Sequence, residues 1–364
     1  MPRRVAALSL ALALAGCGHT APFPPGDYGS DEPFGPGSPR RITLNLGDDR
    51  APAWLPDESG LLYSFQRLDR PDRDRCLGLL PPDGGRLLRT ICDRLPAADD
   101  STDALTEPAA DAAGRLAYVV MSSRMDDVQP RATALVLGTL ADPTTTRVLV
   151  TFPYLGADGA FREGASHVRW LGGGGGGGDT LIYLAEHVGY LAPCRGCPLD
   201  TLRTGIEIAL LDAGAASPVP EVVPGTSQAS SVAAGETPDV IYYTLGGDSR
   251  VLRRVRSTGT TSMVHDFGAA GIARDVQVAG SRLVAVVGGT VAFAYDSLLG
   301  YDVQRDGGGF LYMVDLGTGA ETVLPGAGGA GSAFRHPALS PSGKRVVAEL
   351  VSGGTADLWE FDLP

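Results

Sequence analysis

Three stretches of this chain repeat one another. Ala51-Pro-Ala-Trp-Leu-Pro-Asp-Glu-Ser-Gly-Leu-Leu-Tyr-Ser64 aligns with His336-Pro-Ala-Leu-Ser-Pro-Ser-Gly-Lys-Arg-Val-Val-Ala348, and Glu107-Pro-Ala-Ala-Asp-Ala-Ala-Gly-Arg-Leu-Ala-Tyr-Val119 is a third copy. Weaker copies start near His167, Ser231 and Arg274. A unit that recurs along a chain is one small piece of structure that stacks on its neighbours to bury its apolar face. From residue 41 onward no apolar pattern of helical period persists, and the 50 Gly and 27 Pro interrupt the chain often. Between them lie short β-rich runs, among them Leu61–Phe65, Leu116–Met121, Leu181–Ala185, Val240–Leu245, Leu283–Val287, Phe310–Leu316 and Val346–Leu350. Many short strands with turn residues between them imply a sandwich, a barrel or a propeller.

The repeat resembles the x-P-x-W-S-P-D-G-x-x-L-x-Y unit of TolB-type β-propellers, cousins of the WD-repeat family, over residues 41–364. Six copies about 54 residues apart slightly exceed the ~40–45 of a WD-repeat blade, and the surplus falls in loops. The resemblance therefore implies an all-β, six-bladed β-propeller of four-stranded antiparallel blades. The last copy stops after a third strand, Leu358–Leu363, and the unassigned run Arg41–Leu46 is placed to complete it as an outer strand. That closure joins the two ends of the domain and leaves no open seam.

Residues 1–16 read as a signal peptide: a basic start, Met1-Pro-Arg-Arg4, then an apolar run from Val5 to Ala15 that is too short to span a bilayer. Leu14-Ala15-Gly16-Cys17 resembles the lipobox of bacterial lipoproteins, in which the cysteine is acylated and the peptide is cut before it. Gly18 after the cysteine favours the outer membrane over the inner, because an Asp there is the retention signal in enteric-type bacteria. Residues 17–40 form the lipidated Cys17 and a Pro/Gly-rich tether with a reach of about 25–30 Å. The chain is acidic, with a formal charge of −12, so a nucleic-acid partner is excluded for want of basic excess. The expected partners are the membrane, through acylated Cys17, and an envelope protein or glycan.

Four cysteines remain for an oxidising compartment. Cys76 and Cys92 flank the turn Pro82-Asp83-Gly84-Gly85, and the hairpin register that sets residue 78 opposite 90 and 80 opposite 88 also opposes the two cysteines, so a cross-strand disulfide is expected. Cys194-Arg-Gly-Cys197 lies between prolines in a long loop. It can be a small-loop disulfide, a redox pair or half of a metal site. The strand-then-helix context of redox motifs and a second cysteine pair are both missing, which favours the structural disulfide.

In a propeller the loops between second and third strands share a face with the links between blades. Those loops are long at Gln66–Arg75, Ser122–Arg131, Glu186–Thr204 and Gly288–Gly309, so the insertions build up one face, as a binding rim would. The first alternates Arg and Asp from Arg67 to Arg75, a pattern that solvates a loop. Glu107, His167 and His336 share one repeat position, three residues before the apolar anchor of the first strand. In this architecture that position opens on the axial mouth, where two imidazoles and a carboxylate can hold a divalent metal. Arg50 and Arg335, one residue earlier, alternatively suit an acidic ligand; His187 and His265 have no such placement. The chain has no His-Glu-x-x-His, no nucleophile elbow and no phosphate loop, and the glycine run Gly172–Gly178 has no helix after it. The reading is therefore an envelope lipoprotein whose propeller is a protein- or glycan-binding scaffold without a cofactor. The alternative is a metal-dependent lyase or hydrolase working at the axial mouth.

Overall fold

The computed structural model describes residues 38–364 except 44, 46, 67–74, 93–100, 125–131, 144, 156–160, 173–177, 192–199, 289–290, 297–300, 307–308, 326–332 and 353–354. Cys17, Cys194 and Cys197, with the signal segment and nearly all of the tether, lie outside the described residues. A short strand β1 (Arg40–Arg41) precedes the meander β2 (Asp49–Trp54), β3 (Leu61–Gln66), β4 (Arg75–Leu80) and β5 (Arg89–Ile91). Next come β6 (Ser101–Ala110), β7 (Arg115–Arg124), β8 (Ala132–Thr139) and β9 (Arg147–Leu155), then β10 (Phe161–Trp170), β11 (Thr180–Leu191), β12 (Asp200–Asp212) and β13 (Glu221–Val222). The chain continues through β14 (Ala229–Ala234), β15 (Val240–Leu245), β16 (Arg250–Val255) and β17 (Thr260–Asp266). After β18 (Ala273–Ala279) and β19 (Arg282–Val287), a hairpin of β20 (Val291–Asp296) and β21 (Tyr301–Asp306) interrupts the meander, which resumes with β22 (Phe310–Asp315) and β23 (Glu321–Val323). Last come β24 (Ala333–Leu339), β25 (Arg345–Ser352) and β26 (Thr355–Asp362).

The fold is all-β, a propeller-like ring of antiparallel four-stranded sheets. Three sheets stand detached: β14–β15–β16–β17, β18–β19–β22–β23 and β1–β26–β25–β24. The expectation of six detached blades is not what backbone pairing gives, because β2 to β13 form one continuous twelve-stranded sheet. The cause is local. The ends of β9 and β10 overrun their sheets and pair at Leu155–Phe161 and Tyr154–Arg162, while one parallel bridge joins Arg75 to Ala104. The strands β2, β6, β10, β14, β18 and β24 touch in that order, and β24 returns to β2.

Repeat residues explain how neighbouring groups lock. Trp54 and Trp170 occupy equivalent positions, and each indole N–H donates 3.0 Å to a carbonyl of an adjoining first strand, Ala338 and Ala109 respectively. A guanidinium lies over each ring, Arg345 on Trp54 and Arg115 on Trp170. The turn after β6 is set by a polar side chain: the Asp111 carboxylate accepts the N–H groups of Ala113 and Arg115, and Gly114 supplies the φ of 75° that the turn needs. Apolar side chains fill the space between successive sheets, as where Ala109, Val119 and Leu135 meet Trp170, Tyr183 and Leu211.

An N-terminal strand closes the last sheet as expected, but it is the short pair Arg40–Arg41 continued by Ile42, in place of the expected run Arg41–Leu46. Arg40 and Arg41 pair with Glu360 and Trp359 on β26, and the Ile42 N–H donates to the Leu358 carbonyl at 2.9 Å. Ile42 is buried, packed with Trp54 and Leu358. Glu360, 1% exposed, accepts Arg40 at 2.6 and 2.8 Å and Arg345 at 3.1 Å. The Cys76–Cys92 disulfide forms across β4 and the chain after β5, in the expected register of Gly78 opposite Thr90. Two long insertions carry regular structure in place of bare loop: β11 and β12 stay paired out to Leu191–Asp200, and β20–β21 is a ladder from Val291–Asp306 to Asp296–Tyr301.

Candidate functional site at the ring axis

Five first strands break register at one place, and a non-glycine residue there takes a left-handed φ: Ala51 (49°), Glu107 (52°), His167 (55°), Asp275 (51°) and His336 (42°). Such bulges re-aim a side chain and detach an N–H from the ladder. That conformation is uncommon for residues with a Cβ and persists where its surroundings over-determine it. Here the surroundings are carboxylates. Glu107 accepts the His167 N–H at 2.9 Å, Asp275 accepts the His336 N–H at 3.1 Å, and Glu349 of β25 accepts the Ala51 N–H at 2.6 Å. Ser231 on β14 does the same for the Val276 N–H at 3.1 Å.

The bulges bring Glu107, His167 and His336 together, as their shared repeat position implied, and add Asp275. Nε2 of His167 lies 3.0 Å from Asp275 Oδ1, and Nε2 of His336 lies 4.0 Å from Glu107 Oε1. The two rings are 5.7 Å apart between centroids. Nδ1 of His336 is 2.7 Å from Glu349 Oε1, and Nδ1 of His167 is 3.3 Å from Ser166 Oγ, which donates to Glu186. Ligand atoms of His167, Asp275 and His336 lie within 4.8 Å of one another.

The cluster is enclosed: Glu107 and His167 are buried, Glu349 is 1% exposed, and the His336 side chain keeps 30% of its surface open. Burial alone disfavours charge here, yet the groups charge one another. Desolvation pulls the His336 imidazole down, but the Glu349 carboxylate, with Asp275 and Glu107, raises it to about 10. Burial pushes the Asp275 carboxyl up, and the His167 hydrogen bond and the charge of His336 bring it far below the usual carboxylate range. Glu349 is likewise held down against desolvation by His336, and by the Ala51 N–H. Burial lowers the Arg169 guanidinium, and the charges of Glu107 and Asp275 oppose that shift.

Of the other sequence candidates, Arg50 pairs with Asp48, and Arg335 stands opposite Glu349 in the β24–β25 ladder. His265 pairs with Glu321 at 2.9 Å. Asp275 and Glu349 were not singled out from the sequence. Asp275-Val-Gln aligns with His167-Val-Arg once the fifth copy is begun one residue after Arg274. Glu349 carries no such signal, because it enters from a second strand.

Fold and axial arrangement define the class: the chain is a β-propeller of TolB-like and WD-repeat-like architecture. No protein-family model and no curated protein sequence matches it. Among solved structures it is similar to TolB from Acinetobacter baumannii, with 15% identity and a TM-score of 0.51, covering 84% of this chain and 64% of that one. The chain thus spans less than two thirds of that TolB. It is also similar to XC5397, a gluconolactonase from Xanthomonas campestris, with 15% identity, a TM-score of 0.54 and coverage of 90% and 89%. The RRP9 WD40 repeats match at 12% identity and a TM-score of 0.51, over 92% of this chain and 100% of that one. At such identities the likeness establishes the shared fold.

Proposed function

We propose that this protein is a lipid-anchored lipoprotein of the cell envelope whose six-bladed propeller binds a protein or glycan partner through one insertion-rich face. The six-blade count is supported by the cyclic contacts of β2, β6, β10, β14, β18 and β24, and by apolar clusters between each successive pair of four-strand groups. TolB and WD40 neighbours fit a binding scaffold, although a fold alone hosts many functions. The observation that carries the reading is the placement of the insertions. The β11–β12 extension and the β20–β21 hairpin both leave from the second-to-third strand junction, which is the end of each group where the chain passes to the next. A rigid ring that gathers paired extensions on one face presents a shaped surface. Cys17 in its lipobox-like setting supports the anchor, and the chain after it supports a tether that holds the ring clear of the lipid.

Photocrosslinking residues placed in 186–204 and 291–306 of the full chain, against others in the opposite turns at Asp57–Ser59 and Ser340–Gly343, test the surface. Crosslinks to one partner from the insertions, lost when 186–204 is deleted, are expected. Equal crosslinking from both faces would overturn the reading. Cys17→Ser is expected to release the protein from the membrane fraction.

A further inference from the structure

We infer that the ring axis holds a divalent transition-metal ion on His167 Nε2, Asp275 Oδ1 and His336 Nε2, with Glu107 Oε1 flanking the fourth position. Binding of the ion requires neither a partner nor turnover.

Glu107 and Asp275 each divide their work between two oxygens. Oε2 of Glu107 and Oδ2 of Asp275 are taken by the bulge N–H groups of His167 and His336. Those bonds fix the carboxylates against backbone and leave Oε1 and Oδ1 directed at the imidazoles. The bulges also fix the imidazoles, because each ring grows from a left-handed residue whose N–H is pinned. The donors are therefore positioned by backbone hydrogen bonds across neighbouring first strands.

The imidazoles are turned for ligation. Glu349 Oε1 stands 2.7 Å from Nδ1 of His336, and Ser166 Oγ stands 3.3 Å from Nδ1 of His167. An acceptor at Nδ1 holds one proton there, so an ion that displaces the proton on Nε2 meets a lone pair already aimed at it, the arrangement that orients metal-bound histidines. Nε2 of His167 and Oδ1 of Asp275 are 3.0 Å apart, the spacing of two donors at ~2.1 Å from one ion and at about a right angle. A ring nitrogen of His336 completes the set, since ligand atoms of the three residues all lie within 4.8 Å of one another, and His336 is the more open of the two histidines.

Two nitrogens and one carboxylate oxygen suit first-row ions such as Zn2+, Mn2+ or Co2+ better than Ca2+ or Mg2+, which prefer all-oxygen sets. Glu107 and Asp275 face the charge of Arg169 as well as the imidazoles, so the axis already balances buried carboxylates with positive charge. Three protein ligands leave positions for water or a small anionic ligand, as in sites that act on their contents.

The test uses the full chain in detergent, stripped with a chelator and titrated with Zn2+ by calorimetry and with Co2+ by visible absorption. One equivalent of each ion is expected, with Co2+ bands of a site of few ligands. His336→Ala, His167→Ala and Asp275→Asn should abolish the bands, and Glu349→Gln should weaken binding by about 10-fold or more. The Asn oxygen in Asp275→Asn can still accept the His336 N–H, so that variant keeps the bulge if a histidine variant does not fold. Wild-type protein that binds no Co2+ overturns the proposal. So does binding that survives Asp275→Asn, or binding lost in Cys194→Ser/Cys197→Ser with the histidines intact.

Discussion

Glu349 and Glu360 lie on adjacent strands of the closing sheet, each 1% exposed, and each is held in the fold by different chemistry. Glu360 faces two guanidiniums, Arg40 and Arg345, which keep their charge at any pH where the protein folds. Glu349 faces one imidazole, His336, and one backbone N–H, that of Ala51. The first arrangement is a rivet that joins the N-terminal strand to the last sheet. The second is a balance whose positive side can be given up, to a rise in pH or to a competing cation. A buried carboxylate thus marks a seam when arginine answers it, and a responsive site when histidine does.

The comparison breaks most sharply at the seam. Replacing Arg40, Arg41 and Ile42 together with alanine removes the ion pairs of β1 and a fully buried side chain, so a loss on the order of 5 kcal/mol is expected. Thermal unfolding should then begin well below the wild-type transition, and an unchanged melt would show that β1 does not close the ring. Glu360→Gln alone should cost about 3 kcal/mol, because two partly buried guanidiniums lose their counter-ion. Denaturant titration at neutral pH should find that cost.

The axial pair should behave otherwise. His336 has its pKa raised by folding, so its contribution is complete below the unfolded value of about 6.5 and is lost as pH rises through about 10. Asp275 and Glu349 have theirs lowered, so their contribution is present above about 4 and is lost in more acid solution. In chelated protein, stability measured against pH should therefore fall on both sides. Glu349→Gln should flatten the alkaline limb, a change of about 1–2 kcal/mol, while Glu360→Gln leaves it in place. The smallest effect is expected at Arg50→Ala, under about 1 kcal/mol, since Arg50 pairs with Asp48 at a half-open site. Arg50 also adds to the charge that holds Glu349 down, so a larger loss in urea titration would mean that this longer-range support outweighs the Asp48 pair.

Much of this was legible in the repeats. The Ala51 and His336 copies located first strands and turns, and the shared position of Glu107, His167 and His336 located the axis. Hairpin register alone pairs Cys76 with Cys92, because residues opposite one another in a ladder keep a constant sum. The fifth copy has Val276 where the strong copies have Pro, so its bulge residue, Asp275, was hidden by a shift of one position. The joining of β2 to β13 into one sheet was also hidden, since it depends on strand ends that overrun by two residues at Leu155 and Phe161.

By itself, the sequence determined the all-β class, the radial repeat and the closing strand, because periodic apolar residues and turn chemistry act over a few neighbours. The tertiary structure decided which carboxylate meets which cation. Glu349 reaches Ala51 and His336, and Glu360 reaches Arg40, through contacts that exist once the ends of the chain meet. Electrostatics depends on distance in space and on burial, and neither is written in the order of residues.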